Sequence, residues 1–151
     1  MSELDAGTQA RRDWMGLLSK SPKGRAAELF APLNVSAEFD WVRNPEIGSV
    51  MVRGRAGGTG APFNLGEVTV TRCALRLSSG QVGHAYVQGR RKQDAETAAL
   101  IDALMQTDAA SEVQRGVLDP LAEEMRAAKA TRARKAAATK VEFFTMARGE
   151  D

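Results

Sequence analysis

Residues 53–90, RGRAGGTGAPFNLGEVTVTRCALRLSSGQVGHAYVQGR, constrain the fold of this chain more than any other stretch. Residues 50–55 and 67–77 are rich in β-formers and flank Gly57-Gly58-Thr59-Gly60, and a third such run, 81–88, follows a tight Ser79-Gly80 turn. Runs this short, separated by turn chemistry, predict an antiparallel sheet built from hairpins. Glycine has no Cβ to clash at positive φ, so three glycines in four positions permit a sharp reversal or the close approach of another surface. Residues 92–106 then switch to helical spacing and are expected to pack back on the sheet.

The flanking segments complete an α+β plan. Thr8 is the expected N-cap of a helix through Lys20, with Ala10, Trp14, Leu17 and Leu18 on one side. After Pro22 a second helix over 23–33 aligns Ala26, Leu29, Phe30 and Leu33, so the two read as an N-terminal helical hairpin. Alternation over 37–41 marks another strand, and Asn44-Pro45-Glu46-Ile47-Gly48 reads as a turn, giving a four-stranded antiparallel meander. Asp119-Pro120 reads as N-cap and first position of a helix to about Ala138, followed by an extended tail over 141–151. With 151 residues and 43% hydrophobic content, residues 1–151 form one domain that can bury ~70% of its unfolded surface.

Alternation in the third strand is imperfect. Val68, Val70 and Ala74 share a face with Arg72 and Arg76, while Thr69, Thr71, Cys73, Leu75 and Leu77 line the other. Either a bulge shifts the register midway, or both faces are covered, one by this chain's helices and one by a partner. In the helix over 92–106, Asp102 shares a closely packing face with Ala95, Ala98 and Ala99. A carboxylate buried there needs a cation, and Arg72, Arg76 and Arg90 are the candidates for a structural ion pair; a solvated helix-edge aspartate and a catalytic acid are the alternatives.

Composition narrows the chemistry. One cysteine, Cys73, allows no internal disulfide or cysteine-cluster metal site, and the single histidine, His84, in strand alternation, reads as structural. No convincing nucleophile–base pair stands out, so catalytic residues stay unassigned and no cofactor or metal is expected in this chain. The N-terminus lacks the shape of a signal peptide and no apolar run is long enough for a membrane helix, so a cytoplasmic protein is expected. Gly57, Gly58, Thr59 and Gly60 lack the lysine and spacing of a P-loop, yet with Arg53 and Arg55 they can form a nest of N–H groups for phosphate; a plain turn is the alternative. Residues 125–141 carry Arg126, Lys129, Arg132, Arg134, Lys135 and Lys140 without an acid, against a net acidic remainder. This run suits an acidic protein surface, a phosphate-bearing ligand or plain solvation. Phe143, Phe144, Met146 and Arg148 place apolar anchors where termini are usually polar, which points to a partner interface.

The series GGTG, Phe63, Gly66-Glu67, Thr69-Val70-Thr71-Arg72, Leu75-Arg76-Leu77, Gly83, Val87-Gln88-Gly89-Arg90, Lys92, Ala95-Glu96 and residues 99–106 closely resembles the PhnG family, a small subunit of the bacterial carbon–phosphorus lyase system. Arg12-Asp13-Trp14-Met15 and residues 143–149 resemble it too; the connection over 107–140 resembles it least. The resemblance implies a role in phosphonate catabolism, in a two-fold hetero-oligomer with PhnH, PhnI and PhnJ. With PhnI, PhnH and PhnL, such proteins support replacement of the adenine of ATP by a phosphonate, giving a ribose 1-phosphonate 5-triphosphate. It attributes the nucleosidase-like chemistry to PhnI and bond cleavage to the radical iron–sulfur subunit PhnJ, with ATP a substrate of the complex. The expectation is an accessory subunit, inactive alone, with PhnI its nearest neighbour. Arg91 and Asp94 depart from the family pattern, which has an acidic residue and a histidine there, so no catalytic residue is carried over. Two rivals remain: a phosphate-binding loop lent to a shared nucleotide site, and an RNA-binding basic helix, which lacks interleaved aromatics.

Overall fold

In the computed structural model, which describes residues 5–148 and only the backbone of Phe144 and 146–148, the glycine-flanked stretch forms one antiparallel sheet. Its strands are β1 (Phe39–Arg55), β2 (Pro62–Leu77) and β3 (Val82–Gln88), in the order β1-β2-β3. There are three strands, not the four expected. Residues 37–41 and 50–55 fall in or beside the single 17-residue β1, and the Asn44-Pro45 region bends it instead of reversing it. The register shifts between Trp41 and Arg43 and again between Arg43 and Glu46. As an edge strand, β1 tolerates the absence of a backbone N–H at Pro45. The β1–β2 reversal is one 3₁₀ turn, Ala56–Gly58, with Gly57 and Gly58 at positive φ, where a Cβ would be strained.

Helix α3 (Lys92–Leu104) lies across β2 and β3. Its small face permits a close approach: a Cβ on Gly83 would fall 1.9 Å from the Ala99 carbonyl oxygen, so only glycine fits there. Ala95, Ala99, Ile101 and Ala103 are fully buried against Leu75 and Val87 of the sheet. α1 (Ala6–Ser19) and the six-residue α2 (Arg25–Phe30) each pack on α3, so the expected helical hairpin is replaced by two helices docked side by side on a third. Asp5, not Thr8, caps α1, because its Oδ1 accepts the Thr8 N–H at 2.7 Å, three residues on, where a cap bond reaches.

α4 (Ala110–Val113) runs through a wide π turn, Gln114–Leu118, into α5 (Asp119–Arg148). α5 thus begins at Asp119 as expected, but Asp119 is not its N-cap: its φ and ψ are helical and its carboxylate accepts from Gln114 Nε2 at 2.6 Å. Packing dictates this continuity, since Val113, Val117, Leu118 and Leu121 bury one unbroken apolar face. The tail is likewise helical to Arg148, not extended, continuing the alanine-, lysine- and arginine-rich helix of residues 126–140.

Candidate functional site

All the helices that touch the sheet lie on the face of Thr71, Cys73, Leu75 and Leu77. The opposite face of the sheet carries Arg43, Glu46, Val50 and Val52 from β1, Val68, Val70, Arg72, Ala74 and Arg76 from β2, and His84 and Tyr86 from β3. The split of β2 residues between faces follows the sequence alternation, and the irregularities of register fall on β1. Val50 opposes Val68 and Gly48 opposes Val70, so small and β-branched side chains make a flat apolar strip. Beside it Glu46 gathers two cations: Arg72 Nε donates to Oε1 at 2.7 Å and Arg43 lies 3.4 Å away. Hydrogen bonds to Tyr86 and Glu46 hold the Arg72 guanidinium above its ordinary pKa. His84, expected to be a satisfied structural histidine, is exposed here. Tyr86 and Glu46 had no role in the sequence reading, where Glu46 sat in an apparent turn.

Past the end of β3, β1 and β2 continue as a two-stranded ribbon over 48–55 and 62–70, exposing Val50, Met51, Val52, Phe63 and Leu65. Exposed apolar side chains grouped in this way are a recurrent feature of binding surfaces. The turn at its tip exposes Gly57, Gly58 and Thr59; Arg55 reaches back only to the Gly60 carbonyl oxygen, at 3.5 Å. The phosphate-contact candidates thus sit together at the end of the ribbon, distant in structure from the enclosed parts of the fold.

Asp102 is buried, as the small-face reasoning implies, but its cation is Arg11 of α1 and not Arg72, Arg76 or Arg90. Arg11 Nε and Nη2 donate to the two carboxylate oxygens at 3.1 and 2.9 Å, Trp14 Nε1 donates to Oδ1 at 2.8 Å, and the His84 backbone N–H donates to Oδ2 at 2.9 Å. The three rejected arginines lie elsewhere: Arg72 is bound to Glu46, and Arg76 and Arg90 are exposed. The Asp102 bond holds the Arg11 guanidinium above its ordinary pKa against the cost of burial. With every acceptor site used, this cluster locks α1 and β3 to α3, and it presents no free group for acid–base work. The missed signal was the i, i+3 pair Arg11 and Trp14, a cation and an indole N–H on one helix face.

Arg91 and Asp94, the departures from the family pattern, also turn out to pair. Arg91 Nη1 donates to the Ser21 carbonyl oxygen at 2.9 Å and to Asp94 Oδ2 at 3.3 Å, while Asp94 Oδ1 accepts the Gly24 N–H at 3.0 Å. Together they tie the α1–α2 connection to the start of α3. Cys73 is buried with its thiol against the Ala95 carbonyl oxygen, and burial pushes its pKa up to about 12, so it is a poor nucleophile. Among the described residues no group of three His, Cys, Asp or Glu side chains could hold a metal, and no helix is long and apolar enough to cross a membrane.

α5 is about 45 Å long at 1.5 Å per residue. Arg25 and Glu124 pin its start to α2 at 2.6 and 2.9 Å, and Leu121 and Met125 sit on the core. From Thr131 to Phe143 every residue is exposed, including Arg132, Arg134, Lys135, Lys140 and Val141. Phe143, an expected interface anchor, stands exposed near the far end; the side chains of Phe144, Met146 and Arg148 lie outside the described residues.

One sheet face under helices, the other covered by no helix among the described residues, a projecting ribbon and a long basic helix define a small mixed α/β protein with extensive exposed surfaces. Its lineage agrees with that class: the family model "Phosphonate metabolism protein PhnG" matches residues 9–149. A curated relative, the "Alpha-D-ribose 1-methylphosphonate 5-triphosphate synthase subunit PhnG" of Rhizobium meliloti (strain 1021), is 44% identical over 147 residues, 97% of this chain and 94% of the relative. The chain belongs to the PhnG family of phosphonate metabolism proteins.

Proposed function

We propose that this chain is an accessory subunit of a carbon–phosphorus lyase core complex, supporting the synthase that exchanges the adenine of ATP for a phosphonate. The relative's description as a synthase subunit supports membership of a multi-subunit enzyme. The observation that carries the reading is the outer sheet face without a covering helix, continuous with the apolar ribbon, while the buried side-chain polar groups among the described residues are all hydrogen-bonded. A PhnI-type subunit is the nearest neighbour in this proposal, with PhnH, PhnJ and PhnL in the same system. ATP binds the assembled complex, and the reacting groups come from other subunits. The basic stretch of α5 and the Phe143, Phe144, Met146 and Arg148 end of the chain serve as further contacts.

Co-expression with a PhnI-type protein, followed by size-exclusion chromatography with light scattering, tests this. A stable mixed complex is expected, against poor solubility or self-association of the chain alone. A monodisperse monomer that ignores the partner would sink the proposal. The rival in which the glycine turn holds nucleotide phosphate draws support from the positive φ of Gly57 and Gly58 beside Arg55. Calorimetry of ATP on the complex separates the two: Arg55→Ala leaves affinity unchanged if the chain is a scaffold and weakens it if the tip contacts phosphate.

A further inference from the structure

Among the described residues β1 is an edge strand, paired on one side only, and it guards that edge unevenly. Edge strands are normally protected from pairing with other chains by charges, prolines and bulges. The inner half of β1 has all three: Arg43, Pro45, Glu46 and two register shifts. The tip end has Arg53, Arg55 and the irregularity between Val52 and Arg53. Between them, Ile47-Gly48-Ser49-Val50-Met51-Val52 has no charge and no proline, its register with β2 is unbroken from Glu46 to Val52, and Ile47, Val50, Met51 and Val52 are all exposed. Six residues match an ordinary strand in length.

Protection at both ends and none in the middle is what a strand meant to be paired at one place would show. We infer that residues 47–52 form a strand-addition site: an extended segment of a different subunit of the enzyme assembly pairs with the open edge of β1 and extends the three-stranded sheet. This rests on the subunit reading above and specifies how the subunit is held. Backbone hydrogen bonds supply affinity and side chains on alternate faces supply selectivity. On the outer face the added strand meets Val50 and Val52, and on the inner face Ile47 and Met51. Arg53 and Arg55 form no ion pair among the described residues, so the segment that fits is apolar and uncharged over about six residues, with an acidic residue at the end nearest the ribbon tip.

Charge complementarity favours a different chain over a second copy. A two-fold pairing of β1 with itself places like faces opposite each other. In the register pairing Gly48 with Val52, Ile47 meets Arg53; in the one pairing Gly48 with Val50, Glu46 meets Val52. Neither satisfies the charges at the ends.

Amide hydrogen exchange on the free chain and on its complex with the PhnI-type partner, read residue by residue, is the test. Alternate amides within 47–52, those on the open edge, should slow by about tenfold or more on assembly. Met51→Lys and Val50→Lys, at exposed positions and so with unchanged melting, should each weaken assembly by about tenfold or more. A complex that forms with unchanged exchange over 47–52, or as tightly with both lysine variants, would overturn strand addition and leave the subunit reading standing. No complex at all would overturn both. Dimerisation of the free chain abolished by Met51→Lys would overturn the choice of occupant.

Discussion

Asp102 is fully buried, and four donor contacts from two segments, α1 and β3, converge on it. Truncating Arg11 to methionine leaves that carboxylate with only the Trp14 and His84 N–H groups. Leaving a buried charge without its counter-ion costs about 3 kcal/mol. Urea unfolding of Arg11→Met should show a lower midpoint with an unchanged slope. Cys73 gives a pH prediction of definite sign. Burial raises its folded pKa from an ordinary 9.0 to about 12, so its contribution is complete below pH 9 and is lost as pH climbs from there towards 12. Cys73→Ser or Cys73→Ala should flatten the alkaline limb of a melting-temperature profile, and native Cys73 should resist alkylation at pH 8 until denaturant is added. The helical spacing placed Asp102 on the small, closely packing face of α3, with burial in an ion pair one of the readings it allowed. The partner of Asp102 was not legible, because a carboxylate accepts any nearby cation and only the placement of α1 on α3 brings Arg11, 91 positions away, within 3 Å.

At the scale of elements, the closest contact in the fold is α3 against β3. Gly83→Ala would force its Cβ into the Ala99 carbonyl, and overpacking of this kind costs about 3 kcal/mol or prevents folding. Circular dichroism melts of Gly83→Ala beside Gly57→Ala check it, since the Gly57 position has open space and only backbone strain. α5 is pinned to α2 through Arg25 and Glu124, and that hydrogen bond lowers the Glu124 pKa. Its contribution is therefore present above the usual glutamate range and lost as pH falls through the lowered value. Element types came through in the alternation and the alanine-rich helical spacing. Element ends did not: β1 absorbed an apparent turn because an edge strand can bend at a proline, and α5 absorbed an apparent cap because Val117, Leu118 and Leu121 needed one continuous helix to reach the core.

For the molecule as a whole, the expected docking surfaces divide into sheet face, ribbon and α5. Replacing Phe143 and Phe144 together with alanine should weaken assembly, read by light scattering of the co-expressed complex, while the melting temperature of the free chain stays within a degree or two. Equal assembly would remove the end of α5 from the interface. The chain alone determined the hairpin chemistry around Gly57–Gly60, the division of β2 residues between two faces and the family, because these rest on local alternation, residue type and ordered motif. Only the tertiary structure decided which β2 face the helices cover, which arginine neutralises Asp102 and which stretch of β1 stays open. Those depend on contacts between segments far apart in sequence, whose geometry is set by how α3 fits over Gly83 and by what the remaining helices then have room to cover.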